Sequence, residues 1–141
     1  MTEAAQRWEH FEHESDIGVR GVAPSLAAAF EQAALALMAV TIDPASVGEV
    51  EAIDVECSAA DHEMLLIEWL DALIYHMSVG KLVFARFAVT LDGNRLSARC
   101  FGERVDVPRH QPAVEIKGAT FCALRVEHTD DVWIAQCVVD V

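Results

Sequence analysis

A chain of 141 residues, 53% apolar and 23% charged, is long and apolar enough to bury its own core, which excludes disorder and predicts one domain over residues 1–141. Its formal net charge of −13 excludes the clustered basic surface that grips a phosphate backbone, so a basic protein partner or a cation is expected and direct nucleic-acid binding is not. No apolar run reaches the roughly 18 residues that span a bilayer. Met1 to Asp16 also lacks the basic and apolar regions of a secretory signal, so a cytoplasmic protein with no membrane contact is expected.

Trp8 to Phe11 and Ile17 to Val22 read as short extended segments. Between them lies the polar cluster His13-Glu14-Ser15-Asp16-Ile17-Gly18, with Gly18 expected to bend the backbone. Such a cluster is either a turn in which Asp16 accepts a neighbouring backbone N–H or the start of a site. Ser25 is suited to cap a helix over Leu26 to about Val40, where Leu26, Phe30, Ala33, Leu37 and Met38 recur at helical spacing. Asp43-Pro44 and Gly48 mark a loop.

Val50 to Cys57 alternates as a half-buried strand, with Ile53, Val55 and Cys57 on one face. Ser58 or Asp61 then caps a second helix over Asp61–Ser78, whose stripe is Leu66, Trp69, Leu70, Leu73, Ile74 and Met77; Gly80 is expected to end it. Leu82 to Leu91 and Arg95 to Phe101 flank the hairpin signal Asp92-Gly93-Asn94. After a charged loop from Glu103 to Pro112, Val114 to Glu127 and Val132 to Val139 predict a second hairpin around Thr129-Asp130-Asp131. Two helices beside a largely antiparallel sheet make an α+β, two-layer sandwich.

The four cysteines, Cys57, Cys100, Cys122 and Cys137, form no C-x-x-C pair and fall within apolar alternation, so buried reduced thiols are expected in place of zinc or redox chemistry. Asp140 and the Val141 carboxylate follow a strand directly and would present two oxygen groups within one residue, unless they form a solvated end. Glu103, Asp106, His110 and Glu115 mix acids with an imidazole, which suits acid–base chemistry or simple solubility. Lys117 interrupts the apolar run Val114 to Leu124, where a lysine is either paired or functional. His10, His62, His76 and His128 read as surface or structural, since no H-E-x-x-H pattern is present, and no phosphate loop or nucleophile elbow occurs.

Together these segments resemble the archease family. His13 to Gly18 is similar to its His-Thr-Ala-Asp-Ile-Gly signature, and Asp61 to Leu73 to its Leu-Leu-x-x-Trp-Leu helix. Gly102-Glu103, Asp106, His110, Glu115-Ile116-Lys117 and Thr120 resemble its G-E…D…H…E-I-K-A-x-T-Y-H segment, and Val138 to Val141 its terminal V-x-D-I. The departures are Ser15 and Gly118 for alanine, and Phe121-Cys122 where the family has Tyr-His.

The resemblance implies an accessory protein that promotes guanylylation and multiple turnover of the GTP-dependent RNA-splicing ligase, in tRNA splicing or RNA repair. It also implies a divalent-metal site at Asp16, Asp140 and Val141, with Lys117 a candidate functional residue and His13 an orienting group. An all-oxygen donor set suits Ca²⁺ best, with Mg²⁺ or Mn²⁺ as alternatives, and does not suit zinc. The rival expectations are a metal-dependent phosphoester hydrolase using His13, Asp16, Asp106 and His110, and a general chaperone or binding module for RNA-processing proteins.

Overall fold

The computed structural model describes residues 6–141. In chain order the strands are β1 (Arg7–His13), β2 (Asp16–Ala23), β3 (Glu51–Ser58), β4 (Leu82–Asp92), β5 (Arg95–Arg104), β6 (Gly118–Ala119), β7 (Arg125–Thr129) and β8 (Val132–Asp140). The helices are α1 (Leu26–Thr41), α2 (His62–Ser78) and the single turn α3 (Val107–His110), with a 3₁₀ turn over Pro44–Ser46. The expected α+β, antiparallel architecture is observed. Its strands divide into a five-stranded sheet, β1-β2-β8-β6 with β7 also on β8, and a three-stranded sheet, β3-β5-β4. Among the described residues no helix is long and apolar enough to cross a membrane.

The helices begin where their caps predict. Ser25 Oγ accepts the Ala28 N–H at 3.1 Å, and Asp61 Oδ1 accepts the Met64 N–H at 2.8 Å, each meeting an amide that the first turn leaves without a partner. α1 packs on β2 and β8 of one sheet and β4 of the other, and α2 touches strands of both. One continuous core results: Phe30, Leu37 and Met38 of α1, Leu66, Trp69, Leu70 and Leu73 of α2, Val19, Cys137 and Val139 of the large sheet, and Phe87, Leu96 and Cys100 of the small one. Trp69 Nε1 donates to the Phe30 carbonyl at 3.0 Å, so the indole's one polar atom stays satisfied inside it.

Three helix carboxylates close the sheet edges. Glu31 accepts the Val89 N–H at 2.8 Å, Glu63 the Val126 N–H at 3.2 Å, and Asp71 the Ala119 N–H at 2.9 Å. An edge strand offers unpaired amides that would recruit another chain, and these acids occupy them.

Several expectations are corrected. Gly18 does not bend the chain: it lies within β2, and its missing side chain leaves room for the Phe11 ring. The turn consists of Glu14 and Ser15, with Glu14 at φ 54°, while Asp16 is an extended residue paired with His13. Gly80 does not supply the left-handed residue after α2; Lys81 does, at φ 55°. Val114 to Glu127 is no continuous strand. Only its β6 and β7 pieces pair with β8; between them Thr120 donates to the Val138 carbonyl, and Ala123 at φ 53° breaks the alternation. The Glu103 to Pro112 loop contains α3. Cys100 and Cys137 are buried as expected, but Cys57 is only partly covered and Cys122 is exposed.

Gly21 faces α1 so closely that a β-carbon there would collide with the Ala29 carbonyl and the Ala33 amide, both backbone. At Gly118 the nearest atom would be Asp71 Oδ1 at 3.9 Å, an ordinary contact. Gly21→Ala is therefore expected to destabilise by about 2–3 kcal/mol or prevent folding, and Gly118→Ala to stay within about 0.5 kcal/mol, as read by urea denaturation.

Candidate functional site

The site starts from one antiparallel register. β2 and β8 pair with Ile17 opposite Val139 and Gly18 opposite Val138. One residue further, the same register sets Asp16 opposite Asp140. His13 pairs with Asp16 across the β1–β2 hairpin, and Gly118 pairs with Asp140 on the other side of β8. His13, Asp16, Asp140 and Gly118 thus form one row across the end of the sheet. Paired residues of antiparallel strands send their side chains to the same face, so His13, Asp16 and Asp140 share one.

Val139 and Ile17, in the adjacent row, belong to the core, so the row itself faces outward. Asp140 is exposed and Asp16 partly so. Val141 packs against the core, and the Lys117 N–H donates to the Asp140 carbonyl at 2.7 Å, so this end of β8 is held in place and is not a loose solvated end. Lys117, the residue just before β6, is exposed and borders a depression of about 500 Å³ shared with Asp71, Tyr75 and Glu115. Among the described residues no three His, Cys, Asp or Glu side chains gather closely enough to hold a metal ion. A cation here needs a third oxygen beyond the two aspartates.

Asp106 and His110 are committed to a different structure. His110 is buried, and its Nδ1 accepts the Asp106 N–H at 2.8 Å, so Nε2 carries the proton and faces Glu103 Oε2 at 3.1 Å. With both nitrogens engaged, His110 has none to offer a metal or a reacting proton. Glu103 is the hub of this clamp. It also takes the Arg109 guanidinium at 2.7 Å and the Gly48 N–H at 2.6 Å, tying the end of β5 to α3 and to the loop after α1. The Asp106 carboxylate is used in capping α3. A hydrolase centre built from His13, Asp16, Asp106 and His110 is not assembled.

The edge-capping acids Glu63 and Asp71 and the hub role of Glu103 escaped the sequence reading. An acid capping a distant strand looks the same in sequence as a solvated one.

The Arg109 guanidinium, then the Gly48 and His110 donors, hold the Glu103 carboxyl down at about 2, against an ordinary 4.5. A carboxylate depressed in the folded state contributes stability fully above its unfolded value and loses it as pH falls through the folded one. Glu103→Gln is therefore expected to lower stability at pH 7, with its deficit against the parent shrinking as pH falls from about 4.5 to about 2. Denaturation curves at several pH values would measure this, and a deficit constant with pH would contradict it.

With this geometry in view, the chain matches the Archease protein family (MTH1598/TM1083) over residues 8–141. It is 38% identical to Protein archease of Pyrococcus abyssi and 40% identical to that of Thermococcus gammatolerans, each match covering 96% of this chain and 99% of the relative. The solution structure of Methanobacterium thermoautotrophicum protein 1598 superposes with a TM-score of 0.82 at 27% identity, covering 95% of this chain and 98% of that one. A crystal structure of an archease from Thermotoga maritima, described as a possible chaperone, shares the fold at a TM-score of 0.60 and 18% identity, over 94% of this chain and 96% of that one. The family match over nearly the whole chain, together with these relatives, establishes that this protein belongs to the Archease family.

Proposed function

We propose that this chain is a non-catalytic, cytoplasmic activator of the GTP-dependent RNA-splicing ligase, promoting that enzyme's guanylylation and multiple turnover in tRNA splicing or RNA repair. The observation that carries the reading is the register that runs from Ile17 and Val139 to Asp16 opposite Asp140. Two carboxylates side by side repel each other, and a divalent cation between them removes that cost. In this reading Asp16, Asp140 and Val141 hold a hard cation through oxygen, Ca²⁺ first and Mg²⁺ or Mn²⁺ as alternatives. His13, paired with Asp16, orients that carboxylate, and Lys117 offers a cation to the ligase or its nucleotide.

The charge of −13 supports a protein partner over RNA, because steering toward basic protein surfaces follows from it and phosphate binding does not. A general chaperone is the second reading, favoured by the description of the Thermotoga maritima relative as a possible chaperone. It predicts that this chain protects unrelated proteins from aggregation as well as it serves the ligase.

The test mixes purified ligase, GTP and Mn²⁺ with or without this protein and follows guanylylated ligase. The parent chain is expected to raise rate and turnover, and no change would overturn the reading. Asp16→Ala and Asp140→Ala are each expected to remove at least about tenfold of that stimulation while changing stability by less than about 1 kcal/mol, since both sites are at least partly exposed. Calorimetric titration with Ca²⁺ should show binding to the parent and its loss in both variants; equal binding by all three would remove the metal assignment.

A further inference from the structure

The edge of the five-stranded sheet breaks between β6 and β7, and the break is wired too tightly to be a slack loop. Thr120 keeps its place opposite Val138, donating to the Val138 carbonyl through its amide at 2.9 Å and its hydroxyl at 2.8 Å. The chain then swings out. The Cys122 N–H donates back to Thr120 Oγ1 at 3.1 Å, the Val138 N–H donates to the Cys122 carbonyl at 3.1 Å, and Gln136 Nε2 donates to the Ala123 carbonyl at 3.0 Å. Pairing resumes only at Arg125 opposite Gln136.

What this rigid bulge presents is apolar. Phe121, Cys122 and Ala123 are consecutive exposed residues, and Phe121 is 66% exposed. A single exposed apolar residue is ordinary, but three in a row are unfavourable in water unless they serve something. The bulge hangs from Val138, two residues along β8 from Asp140, a separation of about 7 Å at the rise of a strand. Bulges that re-aim side chains are frequent beside functional sites.

We propose that Phe121 is the aromatic anchor of a protein-docking surface, seating in an apolar pocket of the partner that engages the Asp16–Asp140 row. The inference rests on the activator reading for the partner's identity, the ligase. A protein is favoured over a nucleic acid because the chain's net charge of −13 leaves an acidic surface that repels phosphate even with a divalent cation held between Asp16 and Asp140. An aromatic side chain has few rotatable bonds and here sits on a hydrogen-bonded backbone, so it loses little conformational freedom on docking, which is why such residues concentrate binding energy.

Cys122 gives a probe that needs no substitution. Burial pushes the Cys57 thiol up to about 11 and those of Cys100 and Cys137 up to about 12, so iodoacetamide near pH 8 selects the exposed Cys122. Alkylation of Cys122 is followed by mass spectrometry with the ligase, with RNA alone and with neither, while guanylylation is measured in parallel. The proposal predicts at least about tenfold slower Cys122 alkylation with the ligase and no slowing with RNA alone. Phe121→Ser is expected to weaken ligase binding at least about tenfold, with the same melting temperature and the same maximal guanylylation at saturation.

If guanylylation rises while Cys122 is alkylated at its free rate and Phe121→Ser binds as tightly as the parent, the docking surface is wrong and the activator reading stands. If the ligase protects Cys122 without any rise in guanylylation, the docking surface stands and the activator reading falls. Protection by RNA alone overturns the assignment of a protein partner.

Discussion

The pairing of β2 with β8, Ile17 against Val139, is the constraint on which the rest of this structure depends. It joins segments more than a hundred residues apart in sequence, and a strand's side chains alternate between faces. A slip of one residue would move Val139 and Cys137 to the opposite face of the sheet, out of the core, and carry Asp140 toward it. The buried row therefore fixes the exposed one. Hydrophobic packing of Val19, Cys137 and Val139 against α1 and α2 places two aspartates opposite each other at the sheet's end, where their mutual repulsion would not assemble them unaided.

Part of the acidic charge that dominates this sequence has structural work. Asp61 caps α2, Glu31, Glu63 and Asp71 each hold a strand-edge amide, and Glu103 gathers Gly48, Arg109 and His110 into one clamp. Capping by carboxylates does two things for a small sandwich. It satisfies backbone donors that would otherwise be left without partners, and it blocks edge-to-edge association. The charge of −13 is thus partly a consequence of how the sheets are closed, and only the remainder is available for partners or ions.

How much was legible beforehand follows from which interactions are local. The Ser25 and Asp61 caps act within one turn, so the starts of α1 and α2 could be read from sequence. The β4–β5 hairpin turns at Gly93-Asn94, where Gly93 at φ 60° supplies the conformation its sequence announces. Asp16 and Asp140 each stood out in sequence as polar residues at a strand end, but joining them as one ligand set rested on family resemblance, because their adjacency is a product of long-range pairing. The Val114 to Leu124 segment was misread for the complementary reason. Its apolar residues do not share one sheet face: Ile116 fills the core while Val114 and Phe121 stand in solvent. His110 was read as a loop residue although its partners Asp106 and Glu103 lie only four and seven residues back, because no periodic pattern marks a single-turn helix that folds an imidazole onto the preceding strand end.

The central claim is that β2 and β8 bring their ends together into a cation-holding row. Amide chemical-shift mapping during Ca²⁺ titration of the intact protein tests it most directly. The account predicts saturable shifts confined to residues 13–18, 117–120 and 138–141, with the Glu103–His110 clamp unmoved. Shifts centred on residues 103–110, or none at millimolar Ca²⁺, would contradict it.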